Sequence, residues 1–411
     1  MLPLKQRCCQ SASGPHNREV TSENPPPSDP AGRPGPAERA LGGANLPLLR
    51  GHNAAVLLGL LRAAGEGGVS RLELAEGSGL TPQAVSKITA RLREEGLATE
   101  AGRRASTGGK PRTVLRLVPG ARHAIGLHLD RDESVAVLAD LAGEPVAVRR
   151  APLDLGAGAD EVLAAAAAQV AEVRAAAPEA RVIGAGVACP GPLDHRTGVL
   201  HRVTGLPQWD GYPLRAALAE RLGLPVVLDK DTNAAAHGLA QQADGAGSFG
   251  YLHLGTGLGA GLVLGGAVHR GARTGAGEFG HQVVQLDGPR CGCGKRGCIE
   301  ALCLAAVAAG DPAEAARVLG VGAANLVELL DVDRILLGGR TVLADPPAYV
   351  RGVAASLDGQ LRAHGAAEAR TVPVVLAPGG PHTVPLGAAH LVLASLFAPP
   401  HGPFTGARAA L

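Results

Sequence analysis

Residues 280–300 read GHQVVQLDGPRCGCGKRGCIE and place His281, Cys291, Cys293 and Cys298 on one short stretch. Three thiolates and one imidazole are the soft donors of a closed, four-coordinate structural zinc site. Glycines at 292, 294 and 297 allow the backbone to fold tightly around such an ion. The chain has only seven Cys in 411 residues. That is too few for a disulfide scaffold, so the cluster points to a metal in a reducing compartment. Two other readings stand beside it: unrelated buried thiols, and iron–sulfur ligation, which this donor set fits less well. Cys189 and Cys303 read as small buried residues, and Cys8 and Cys9 as incidental.

On both sides of the loop the pattern is α/β. HAIGLHLD, SVAVLADL and EPVAVRRAP read as strands from residue 123 onward, followed by an Ala-rich helix from Ala159 to about Ala177 and the strand RVIGAGVACPG. A helix over YPLRAALAERLG leads into the strand PVVLDKD, with a further helix from Asn233 to Gln242. Strand and helix alternate again through SFGYLHLGTGLGAGLVLGG, a helical region from about Glu300 to Leu330, and VDRILLGG. Two mixed α/β lobes with a cleft, over residues 119–400, account for this length. Residues 1–44, rich in Pro, Gly and polar side chains, read as a disordered tail, and 401–411 as a second tail.

Composition narrows the function classes. Hydrophobic residues make up 46% and charged residues 18%, with a net charge of +2, so the protein is globular and any nucleic-acid contact is local. Aromatics at 2% reflect a bias toward small residues and carry no functional argument. The start MLPLKQRCCQ turns polar at once, without the apolar segment of an export signal. The uncharged stretch near residues 371–407 is broken by Pro and Gly and is too short in helix to span a bilayer. The expectation is a cytoplasmic protein with no membrane partner.

Residues 45–118 have a different grain. Three helical segments, LPLLRGHNAAVLLGLLRAAG, SRLELAEGS and TPQAVSKITARLREEG, precede two extended segments joined by RRASTGGK. Ser70 with Glu73 forms a capping-box signature, and Thr81-Pro82 joins an N-cap to a proline at the first helical position. In the third helix Ala84, Val85, Ile88 and Leu92 make the apolar face, leaving Gln83, Ser86, Lys87, Thr89 and Arg91 outward to meet base edges or phosphates. Arg103, Arg104, Lys110 and Arg112 flank a Gly-Gly turn that brings cations to phosphates or the minor groove. Taken singly, each basic residue is ordinary solvated surface; the helix, turn, helix and basic hairpin together favour double-stranded DNA.

These motifs resemble the ROK family, whose name joins repressor, open reading frame and kinase. SRLELAEGSGLTPQAVSKITARLREEGLATEAG followed by STGGKPR is similar to the winged helix-turn-helix of its repressors, with Lys110 where family members often carry Arg. His281, Cys291, Cys293 and Cys298 match the family's zinc motif. The resemblance implies a multidomain chain: an N-terminal winged helix-turn-helix before a two-lobed α/β actin-like ATPase or sugar-kinase-like domain. It also implies that Asp231, Glu278, His281 and Glu300 hold sugar hydroxyls, Asp231 standing where the kinases have their catalytic base.

Two departures bear on function. Gly205 stands where the family typically has a sugar-binding Asn, which removes one hydrogen-bond partner. His128-Leu129-Asp130-Arg131-Asp132-Glu133 replaces the glycine-rich phosphate turn of the kinases, and its carboxylates repel ATP. The expected function is therefore non-enzymatic: a zinc-containing, sugar-responsive transcriptional regulator of sugar uptake or catabolism genes, a repressor acting as a homodimer or homotetramer. The rivals are an ATP-dependent sugar kinase with a DNA-binding arm, and a DNA-binding protein whose α/β body is a dimerisation or protein-interaction scaffold.

Overall fold

A computed structural model describes residues 46–106, 109–242, 247–363 and 371–397. The tails expected at 1–44 and 401–411 lie outside the described residues, as does the side chain of Lys110.

The described residues begin with α1 (Leu46–Ala63), β1 (Val69–Ser70), α2 (Arg71–Ser78) and α3 (Pro82–Glu94). The capping box forms: the Glu73 amide donates to Ser70 Oγ at 3.3 Å, and the Ser70 amide to Glu73 Oε2 at 2.7 Å. Thr81 caps α3 by accepting from the Ala84 amide, with Pro82 at the first helical position. β2 (Ala98–Ser106) and β3 (Gly109–Leu117) pair antiparallel, and β1 joins the free edge of β3. Leu57, Leu61, Leu74, Val85, Leu92 and Leu115 form one core that continues into Val135, Val137 and Leu393 of the body.

One expectation about α3 is corrected. Thr89 is not outward: it is fully buried, and its hydroxyl donates to the Val85 carbonyl at 2.8 Å. Val85, Thr89 and Leu92 stand at the i, i+4 and i+7 positions, the spacing that keeps side chains on one helix face, and that face meets the core. The methyl of Thr89 packs while its hydroxyl is satisfied within the helix.

The first lobe contains β4 (His123–Leu129), β5 (Glu133–Asp140), β6 (Pro145–Pro152), α4 (Ala159–Ala175), β7 (Val182–Cys189), β8 (Leu193–Asp194), β9 (Val199–Leu200), α5 (Leu214–Leu222) and β10 (Val226–Lys230). Its sheet runs β10-β7-β4-β5-β6, the first three strands parallel and the last two pairings antiparallel. The second lobe follows α6 (Asp231–Ala240) with β11 (Phe249–Leu254), β12 (Leu258–Leu264), β13 (Ala267–Val268), α7 (Ile299–Ala308), α8 (Pro312–Leu330), β14 (Arg334–Gly338), α9 (Arg340–Ala344), α10 (Pro346–Ala363) and β15 (Val374–Leu376). Its sheet runs β13-β12-β11-β14-β15. The helical region expected over 300–330 is two helices, because Gly310 turns left-handed and Asp311 caps a new start at Pro312.

The chain then returns as α11 (Thr383–Leu393) to pack on the first sheet and on α6. Gly126 in β4 and Gly186 in β7 make this possible: a Cβ at either would run into the carbonyl oxygens of Pro385 and Ala388. Among the described residues no helix is long and apolar enough to cross a membrane.

Candidate ligand cleft and metal centre

Parallel strands end their chains of hydrogen bonds together, and ligands collect beyond their carboxyl ends. Here Asp130 follows β4, Pro190 and Gly191 follow β7, and Asp231 follows β10, all facing one cleft between the lobes. The β11–β12 turn closes it from the second lobe with Thr256 and Gly257, and Glu278, His281 and Glu300 complete the wall. The four ligand residues expected from the sequence therefore converge on one space.

Each carboxylate has its own setting. Asp231 opens α6, where its Oδ1 accepts from the Thr232 amide at 2.6 Å. Burial, aided by the neighbouring charges of Asp130 and Glu278, pushes its carboxyl up to about 7. Glu300 lies in the first turn of α7, and its Oε2 accepts from the Leu258 amide at 3.0 Å, which locks it to the second sheet. Glu278 is more exposed and pairs through Oε1 with Lys230 Nζ at 2.9 Å. That lysine was not singled out by the sequence reading. It is buried at the end of β10, and its ammonium also donates to the Ala276 carbonyl at 2.7 Å. A lysine between two aspartates at a strand end was the available signal.

Gly205 adopts φ 76°, and a Cβ there would approach only Arg131 Nη1, at 3.8 Å. Its neighbour Thr204 lines the cleft and accepts from Arg131 Nη2 at 2.7 Å. The β4–β5 turn is tied to the opposite lobe. Thr256 Oγ1 donates to Asp130 Oδ1 at 2.8 Å, and Arg340 Nη2 donates to Asp132 Oδ2 at 2.7 Å.

The candidate metal centre adjoins this cleft. The ligand atoms of His281, Cys291, Cys293 and Cys298 all lie within 4.8 Å of one another. Cys293 and Cys298 sulfurs are 3.7 Å apart, and Cys291 sulfur is 3.6 Å from His281 Nδ1. Tetrahedral ligands at about 2.3 Å from an ion are separated by about 3.8 Å, so both the donors and their spacing fit a metal. His281 belongs to the metal cluster and to the cleft wall alike. Cys189 and Cys303 are buried in the core, as their sequence context suggested.

On α3, Gln83, Ser86, Lys87 and Arg91 are exposed, and Arg91 pairs with Glu95 at 3.5 Å. Arg103, Arg104 and Arg112 are exposed on the hairpin. Arg104 is held in place, donating to Glu73 Oε1 at 3.2 Å and to the Gly67 carbonyl at 2.8 Å.

Comparison with known proteins agrees with this geometry. Residues 124–309 match the model of the ROK family. The chain is 32% identical to the DNA-binding transcriptional dual regulator NagC of Escherichia coli over 268 residues, 63% of this chain and 64% of that protein. It spans 59% to 64% of the length of such curated relatives. The ROK hexokinase of Thermus thermophilus is 32% identical, with a TM-score of 0.54, over 65% of this chain and 96% of the other. A ROK-family transcriptional regulator, a homologue of the Escherichia coli MLC protein, shares the fold at a TM-score of 0.67 and 22% identity, over 85% of this chain and 97% of its own. The body is thus a ROK-type α/β sugar-kinase-like domain, and the chain belongs to the ROK family.

Proposed function

We propose that the protein is a sequence-specific DNA-binding transcriptional regulator, a repressor of sugar uptake or catabolism genes, whose effector is a sugar or sugar derivative held in the interlobe cleft. The observation that carries this reading is the joining, in one chain, of that carboxylate-lined cleft to a capped helix presenting Gln83, Ser86, Lys87 and Arg91. Residues 45–118 act as a winged helix-turn-helix, with α3 in the major groove and Arg103, Arg104, Lys110 and Arg112 at the backbone or minor groove. Residues 119–400 form the effector domain. The similarity to NagC, a DNA-binding transcriptional regulator by name, supports the same reading.

In the cleft, Asp231, Glu278 and Glu300 accept sugar hydroxyls, with His281 beside them. Zinc bound by His281, Cys291, Cys293 and Cys298 would fix the loop that carries His281 and the start of α7 that carries Glu300. Ligand must displace or share Glu278, since Lys230 already holds it. Effector binding shifts the lobes or subunits of a cytoplasmic homodimer or homotetramer, and with them the spacing of two reading helices, to the extent that the two states differ in affinity.

The protein is not an enzyme on this reading, because the turn that should receive ATP phosphates carries Asp130 and Asp132 bonded across the cleft. The kinase alternative draws on Asp231, whose carboxyl near 7 suits a general base. Genomic-fragment selection at about 0.15 M salt, with and without a pool of sugars and sugar phosphates, tests the proposal. A retained palindrome released by one ligand is the expected result. Retention indifferent to every ligand would favour a scaffold body, and sugar-dependent ADP release would establish the kinase instead.

A further inference from the structure

A second cavity, of about 600 Å³, lies where the N-terminal helical unit meets the body. The last turns of α1 form one wall with Gly59 and Arg62, and α6 and its C-terminal end form another with Gly238 and Gln241. The β5–β6 turn contributes Gly143, and α11 contributes His390 and, at its first turn, Thr383. Metabolite-sized ligands occupy spaces of about 300–1,000 Å³ at such junctions.

The chemistry of the wall is that of an incomplete ion pair. The Arg62 guanidinium is half-buried, lies over the Phe397 ring at 4.1 Å, and gives one hydrogen bond, from Nη2 to Gln241 Oε1 at 3.0 Å. No carboxylate stands within ion-pair distance of it among the described residues, although Glu144 lies exposed at the cavity rim. Guanidinium has five N–H donors in a planar fork suited to oxyanions, so most of its capacity faces no acceptor among the described residues. Burying an uncompensated cation is costly, and an anion relieves that cost. His390 is half-buried here, and its buried Nδ1 has no hydrogen-bond partner. Burial, with Arg62 and His237 adding repulsion, pushes its imidazole down to about 3, so it is neutral and does not itself repel Arg62. The first turn of α11 on the facing wall presents the positive end of a helix dipole, opposed by the carboxyl-terminal ends of α1 and α6 on the other walls, so the cation that an anion would meet is Arg62.

We propose that this junction cavity is a second ligand site, which takes a phosphate- or carboxylate-bearing small molecule through the free donors of Arg62. The bound anion bridges α1 to α6 and α11, and so tightens the joint between the helical unit and the body. Its effect on transcription rests on the DNA-binding reading above; the binding itself does not.

The test is calorimetric titration of the full metal-loaded chain with inorganic phosphate and, separately, with citrate, which tells the two anion classes apart. Three variants accompany it. Arg62→Gln removes the charge. Gly59→Glu adds a competing carboxylate from α1, at a helical position where a Cβ meets nothing within 4 Å, so this variant keeps the fold even where Arg62→Gln is unstable. Arg131→Gln serves as the control in the interlobe cleft, where it removes a cation that an anion bound there would use. The expected result is saturable binding of one anion with a Kd below about 1 mM, weakened at least about tenfold in Gly59→Glu and in any folded Arg62→Gln, and unchanged in Arg131→Gln. Absence of saturable binding by both anions overturns the proposal. So does binding that Gly59→Glu leaves intact, or that Arg131→Gln abolishes.

Discussion

Asp231 carries the sharpest expectation attached to a single side chain. Its carboxyl is pushed up to about 7 in the fold, from an ordinary value of 3.8, chiefly by burial. The folded state therefore holds a proton that the unfolded chain has already released, and stability conferred below pH 4 is lost as pH rises toward 7. Asp231→Asn has no such proton to lose. At pH 8 it is expected to be about 1–3 kcal/mol more stable than the parent, with the difference vanishing near pH 4, as read by urea melts at the two pH values. Equal stabilisation at both pH values would refute the burial argument. Gly205 gives a second test, next to Thr204 of the cleft wall. Its φ of 76° suits Asn better than any other side chain, and a Cβ there has room. Gly205→Asn is expected to strengthen hexose binding by about tenfold through one added hydrogen bond, measured by calorimetry. Unchanged affinity would place the lost contact outside the sugar's reach.

Helix α3 and the metal loop show what a short segment can reveal and what it hides. Replacing Lys87 by Ala should weaken binding to all DNA sequences similarly and reduce the salt slope of log K by about 0.9, since Lys87 is exposed and offers only a charge to phosphate. A selective loss at one base pair would instead make it a base reader. Chelation of a metal bound there should lower the melting temperature by several degrees and expose the loop at 281–300 to protease, because without an ion the four donors are joined only by weak sulfur hydrogen bonds. The caps at Ser70 and Thr81 and the four metal donors were legible in the sequence because each motif closes within a few residues or one loop. Thr89 was not. Its side belongs to the buried stripe because α3 leans on α1 and α2, and a polar residue type masks that from a reading of hydrophobicity. Lys230 escaped for a related reason: its partner Glu278 lies 48 residues away, and only the fold brings the two together.

The two lobes meet at the cleft mouth through contacts that no local pattern could announce. Arg340 and Asp132 are 208 residues apart in sequence, Thr256 and Asp130 are 126 apart, yet both pairs bridge the β4–β5 turn to the second lobe. The sequence shows carboxylates in this turn; the structure shows what they bond to, which is the second lobe. The Arg340–Asp132 pair is half exposed, with side-chain accessibilities of 42% and 55%, so it contributes only about 0–1 kcal/mol. The effect of removing it is bounded accordingly. Arg340→Gln should leave the global denaturation midpoint almost unchanged, while backbone amides of residues 130–133 and 255–257 exchange hydrogen up to about fivefold faster through local opening of the cleft. The Asp130–Thr256 bond is buried at its Asp end and persists in that variant, so opening stays partial. Removing both bonds with Thr256→Val added should accelerate exchange further than either substitution alone, because each bond limits the same motion. Exchange unaltered in the double variant would mean that packing of α11 and the lobe cores alone sets the cleft, and that the charged turn has no part in holding it shut.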